Sequence, residues 1–144
     1  MTELAKDLGV EIEFVPADWK TLLNGVVSGA YHLTGSASIS PSRAKAAGYS
    51  TSYFSLATVP LILSKNASQY KDWNDLNQSG VTVAATLGTT QEQQIKQYFP
   101  KAAHKIVDAP ARDFQEVLAG RAGAHITSNV EAYKLVEKYS NMMI

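Results

Sequence analysis

Arg43 is preceded by a serine-rich run, Gly35-Ser36-Ala37-Ser38, and by Ser40-Pro41-Ser42. A guanidinium is a planar fork that pairs with both oxygens of a carboxylate and stays charged at every relevant pH. The Ser38 hydroxyl and the backbone N–H groups of the turn could join it in holding an anion. The other reading of Arg43 is a solvated helix arginine. Gly88-Thr89-Thr90 forms a second candidate corner, between a predicted strand and a predicted helix. Glycine allows a sharp turn there, and the first N–H groups of a helix point at whatever precedes them. Two hydroxyls add donors, although an ordinary helix cap would use the same residues. Ligands of open α/β sheets collect at the carboxyl ends of the strands, which is where this turn falls. Trp19, after Asp18, reads as a core aromatic, and Trp73 as a local packing anchor. Glu131 stands in the first turn of the last predicted helix, where the helix dipole favours a carboxylate.

Other chemistries are excluded. The 144 residues contain no cysteine, so disulfides, thiol nucleophiles and Cys-bound zinc are out. His32, His104 and His125 are far apart and lack metal-ligand spacing, so neither a metal nor a cofactor is expected. Thirteen basic residues balance thirteen acidic ones. The balance is local too, with four basic and five acidic residues up to Pro60. No basic patch for a phosphate backbone can be read, so nucleic acid is not an expected partner. The longest apolar runs, such as Thr58 to Leu63, are too short to span a bilayer. The first seven residues lack the basic and apolar regions of a signal peptide, which leaves the compartment open.

The elements that must position these residues alternate between strand and helix. Leu4, Ala5 and Leu8 mark a short helix ended by Gly9. Val10 to Val15 alternates apolar and acidic residues, which predicts a strand. Asp18 is a candidate cap for a helix carrying Leu22, Leu23, Val26 and Val27, and Tyr31 to Ala37 reads as a buried strand. Ser40 and Pro41 open a helix that Gly48 ends. Further strands are expected at 57–63, 81–85, 104–107 and 122–127. Helices are expected at Asp72 to Leu76, after Thr90, around Phe114 to Leu118, and from Asn129 to Tyr139. That order predicts an α/β protein with parallel βαβ units.

Four stretches, in this order, resemble the amino-acid-type family of periplasmic solute-binding proteins. They are Val15-Pro16-Ala17-Asp18-Trp19 with Leu22 and Ser28-Gly29, then Ser38 to Arg43, Gly88 to Glu92, and Leu118 to Ala122 leading to Ile126-Thr127. Within the family, Trp19-Lys20-Thr21-Leu22 and Ile126-Thr127 with Glu131 look closest to the cyclohexadienyl dehydratases, enzymes built on the binding-protein scaffold. The resemblance implies two small α/β lobes with mainly parallel sheets and a ligand held in the cleft between them. Residues 1–56 would be a partial first lobe, 57–63 a crossing hinge strand, and 64–144 the second lobe. The match starts after the family's first strand and stops before its returning crossover, so the first lobe is expected to be incomplete.

The resemblance also implies roles. Arg43 would hold the ligand carboxylate with Ser36 and Ser38, Trp19 would form one wall, and Thr89 and Thr90 the anion corner. Glu131 would be the general acid if the chain were a dehydratase, a carbon–oxygen lyase acting on prephenate or arogenate. Two departures weigh against that. Thr58 replaces the dehydratase lysine, and Ser128 replaces the acid that grips a ligand's α-amino group. The residues therefore favour a module binding a small carboxylate or amino-acid-like ligand over an enzyme, with a non-binding remnant or sensor as the third reading. An incomplete first lobe predicts a homodimer built on residues 1–60, with exchange of that segment as one route. A transporter would be the partner if the chain is exported.

Overall fold

The computed structural model describes residues 1–144, which divide into two compact units, Met1–Ser50 and Thr51–Ile144. The second unit is built on one mixed sheet. Its strands are β1 (Thr58–Leu63), β2 (Thr82–Thr86), β3 (Ala103–Val107), β4 (Ala124–Ser128) and β5 (Met142–Met143), in the order β3-β2-β4-β1-β5. β2 runs parallel to both β3 and β4, whereas β1 runs antiparallel to β4 and to β5. The antiparallel register sets Thr58 opposite Ser128.

Alternation along these strands feeds two cores. Val83, Ala85, Ala124 and Ile126 pack on one face with Ile95 and Phe99 of α5 (Thr90–Tyr98) and its C-cap. Leu61, Leu63 and Ala84 pack on the other with α6 (Phe114–Leu118) and α7 (Asn129–Lys138). Asp72 caps the short helix α4 (Trp73–Leu76) in a capping box with Asp75. Trp73 stacks on Phe99 with centroids 5.5 Å apart, the packing role expected of it.

The first unit holds three short helices, α1 (Thr2–Asp7), α2 (Leu22–Val27) and α3 (Pro41–Ala44). Asp18 does not cap α2 directly; it accepts from Thr21 N–H and hydroxyl, and Thr21 takes the cap position. Ser40 caps α3 as expected, but that helix ends at Ala44, before Gly48. The expected strands at 10–15 and 31–37 do not form. A strand exists only as part of a ladder, and neither run finds one. Val10, Ile12 and Phe14 stay exposed. No helix of the chain is long and apolar enough to cross a membrane.

Candidate ligand-binding site

In the first unit the structure brings Trp19, Ser38 and Arg43 together. The Arg43 guanidinium lies over the Trp19 ring, 5.9 Å from its centroid. One of its terminal nitrogens donates to Ser38 O at 3.1 Å, and the Tyr49 hydroxyl donates to the same oxygen at 3.3 Å. The Arg43 N–H is capped by Ser40 Oγ at 3.3 Å. The cap fixes the start of α3, and the ring attracts the guanidinium by a cation–π contact. Ser36 holds φ +64°, a left-handed conformation uncommon for any residue but glycine. It turns the chain just before Ser38.

In the second unit Thr58, Thr89, Thr90 and Ser128 all lie at one end of the sheet. That end carries the carboxyl termini of β2, β3 and β4 and the start of β1. Thr58 donates through its hydroxyl to Gln94 Oε1 at 3.2 Å, tying β1 to α5. Gly88, at φ +78°, makes the turn into α5. Thr89 caps that helix, its hydroxyl accepting from Glu92 N–H and donating to Thr86 O. Ser128 caps α7 by accepting from Glu131 N–H at 3.2 Å.

The corner at Gly88 carries its own carboxylate. Glu92 Oε2 accepts from Gly88 N–H at 2.8 Å, and Oε1 accepts from Lys96 Nζ at 2.6 Å. Burial pushes the Glu92 carboxyl up, but Lys96 and the Gly88 N–H outweigh it and hold it below the usual value. Glu92 is thus a residue the sequence reading missed, and the spacing Thr89-x-x-Glu92 is the capping pattern that signals it.

Arg112 is the other missed residue. It sits in the loop after β3, at the same end of the sheet, and pairs with Glu131 Oε1. Thr127 donates its hydroxyl to Glu131 Oε2 at 2.5 Å. Both oxygens of Glu131 therefore have partners from this chain. No group of three or more His, Asp or Glu side chains is arranged to hold a metal ion.

Residues 1–141 match the family of bacterial extracellular solute-binding proteins, family 3. The chain belongs to that family. Among curated relatives of this solute-binding family, cyclohexadienyl dehydratase of Pseudomonas aeruginosa is 25% identical over 90% of this chain and 48% of its own length. The L-cystine-binding protein TcyJ of Escherichia coli is 28% identical over 98% of this chain and 53% of its own. The chain thus spans about half the length of these family members. Two solved structures agree in fold. The ancestral amino acid-binding protein AncCDT-1, a precursor of cyclohexadienyl dehydratase, has a TM-score of 0.88 at 36% identity, covering 94% of this chain and 61% of that one. An ancestral arginine-binding protein bound to arginine has a TM-score of 0.85 at 28% identity, covering 97% and 63%. The expected periplasmic-binding-protein fold of this family is the fold observed.

Proposed function

We propose that this chain is a ligand-binding module for a small amino acid or a related carboxylate. Arg43 anchors the carboxylate, Trp19 stacks on the ligand, and Ser36 and Ser38 line the turn beside them. In the second unit, Thr58, Thr89, Thr90 and Ser128 are the candidates for polar ligand contacts. The observation that carries this reading is the guanidinium of Arg43 placed over the Trp19 ring and tied to Ser38 O. The names of the relatives support the ligand class, since they bind amino acids, cystine or arginine. With Ser128 where an acid would grip an α-ammonium, hydroxyls serve that end of the ligand. The lobe division suggested by the resemblance (1–56, 57–63 and 64–144) belongs to the same proposal, as does delivery to a membrane transporter.

A thermal-shift screen with L-amino acids and small carboxylates tests the reading, because a ligand that binds only the folded state raises the unfolding midpoint. Saturable stabilisation by at least one of them supports it. A flat response across the panel, with the protein folded, contradicts it.

The second reading is a dehydratase, favoured by the one relative named cyclohexadienyl dehydratase and by the description of AncCDT-1 as a precursor of that enzyme. Glu131, as its acid, would have to release Arg112 and Thr127 first. A homodimer through residues 1–60 would cover the exposed Val10, Phe14 and Leu33 without a second protein, although Glu11 and Glu13 beside them weigh against it.

A further inference from the structure

Arg112 and Glu131 pair at the end of the sheet that carries Thr58, Thr89 and Ser128. The ion pairs Lys96–Glu92 and Arg121–Glu116 are local, spanning four and five residues. Arg112 and Glu131 stand 19 residues apart and join the loop after β3 to the first turn of α7. Each member also has a hold of its own. The Arg112 guanidinium lies 5.6 Å from the centroid of the Phe114 ring, and the intervening Asp113 is buried as the cap of α6. Glu131 accepts the Thr127 hydroxyl at 2.5 Å, and its N–H donates to Ser128 Oγ at 3.2 Å. Both charges are therefore set in place before any ligand arrives. Their side chains are nonetheless 54% and 37% exposed, and pairs open to water add little to stability. A fixed pair that the fold scarcely needs points to a task at the rim.

The position of the pair says what it meets. Ser128 is the residue proposed for the amino end of a ligand, and it caps the helical turn that holds Glu131. Of the other acids at that end, Glu92 is held by Lys96 and Gly88 N–H, and Asp108 is open to water. Opposite charges side by side treat ligand groups unequally. An ammonium gains Glu131 but must displace the Arg112 guanidinium from it. A carboxylate gains Arg112 but meets the Glu131 carboxylate. Either group ends with a like charge at close range. A carboxamide breaks nothing. A guanidinium carries five N–H donors and a carboxylate about four acceptor positions, so their mutual bond leaves capacity on both. The amide C=O can accept from Arg112 while its NH2 donates to Glu131.

We propose that Arg112 and Glu131 form a charge filter for the ligand's side chain, passing a neutral carboxamide and turning away ammonium and carboxylate groups. The proposal rests on the binding-module reading and narrows its ligands to amino acids with a side-chain amide. Each residue of the pair suppresses the ligand charge that the other would attract.

Glutamine, glutamate and lysine are the probes, titrated calorimetrically into wild type and three variants whose melting is checked by circular dichroism. Glutamine and glutamate differ only in amide against carboxylate, so their ratio reads charge. Wild type should bind glutamine about tenfold or more tightly than either charged probe. Arg112→Gln leaves Glu131 without its cation and should raise affinity for lysine about tenfold, with glutamate still refused. Glu131→Gln should do the reverse and raise affinity for glutamate. The double variant, Arg112→Gln with Glu131→Gln, should lose both gains, because neither charge remains to produce them. An unchanged glutamine-to-glutamate ratio in Glu131→Gln would overturn the filter and leave the binding module standing. So would loss of all three probes in both single variants, which would mark a merely structural pair. Failure of glutamine to bind wild type that a smaller amino acid stabilises would overturn it too. Binding of no amino acid or small carboxylate at all would contradict the module reading itself, and the filter with it.

Discussion

His125 and Asp113 face each other inside the second unit, with Nδ1 3.0 Å from Oδ2 and side chains only 1% and 5% exposed. Neither imidazole nitrogen meets full hydrogen-bond geometry, so close approach rather than an in-line bond joins them. Asp113 also caps α6 through Phe114 N–H at 3.0 Å. Burial pushes the Asp113 carboxyl up, but the neighbouring His125 ring, the Thr86 hydroxyl and the Phe114 N–H outweigh it. The carboxyl is held below its ordinary value.

A depressed carboxyl contributes stability that is fully present above the unfolded value of 3.8 and lost as pH falls through the lower folded value. The resistance of the wild type to urea should therefore fall in acid below about pH 4. Asp113→Ala should cost about 1–3 kcal/mol near neutrality, because it leaves the buried Phe114 N–H without its acceptor. Its stability should also vary less with pH in that acid range. Equal acid sensitivity in Asp113→Ala and wild type would show that other carboxylates govern the transition.

Much of the second unit was legible in its sequence. Val81 to Ala85 and Ala57 to Leu63 are apolar runs bounded by turn residues, and their neighbours in the sheet lie within the same chain. Asp72 and Ser40 announced the helices they cap. Val10 to Val15 misled because alternation reports an amphipathic run and cannot report whether a ladder partner exists. Among the site residues, Trp19 and Arg43 do meet. Arg112 escaped notice because it belongs to no motif, and only the topology brings its loop to the rim where Glu131 starts α7.

Glu131 offers a second test. A general acid must hold a proton and deliver it to the leaving hydroxyl. Here Arg112 and Thr127 occupy both of its oxygens. Incubation with prephenate, acid quench and product detection should show no enzymatic phenylpyruvate. Clear turnover that vanishes in Glu131→Gln would promote the dehydratase reading over the binding one.

Ser128 should set the preference for the ligand's amino end. Aspartate caps a helix as well as serine does, so Ser128→Asp should leave α7 intact. A charged partner adds about 1.5–3 kcal/mol, so affinity for zwitterionic amino acids should rise about tenfold or more. Affinity for the matching monocarboxylates without an amino group should not rise. Equal change for both ligand types in calorimetry would remove Ser128 from the ammonium end.

The central claim is that Arg43 anchors a ligand carboxylate, and isothermal titration of wild type and Arg43→Ala tests it most directly. The ligand is the best stabiliser found among the amino acids and small carboxylates. Arg43→Ala should fold with an unchanged melting profile and bind about tenfold or more weakly, as expected for loss of a charge-assisted bond. Arg43→Lys should recover only part of the loss, because an ammonium cannot form the two-pronged pair. Equal affinity in wild type and Arg43→Ala would contradict the account.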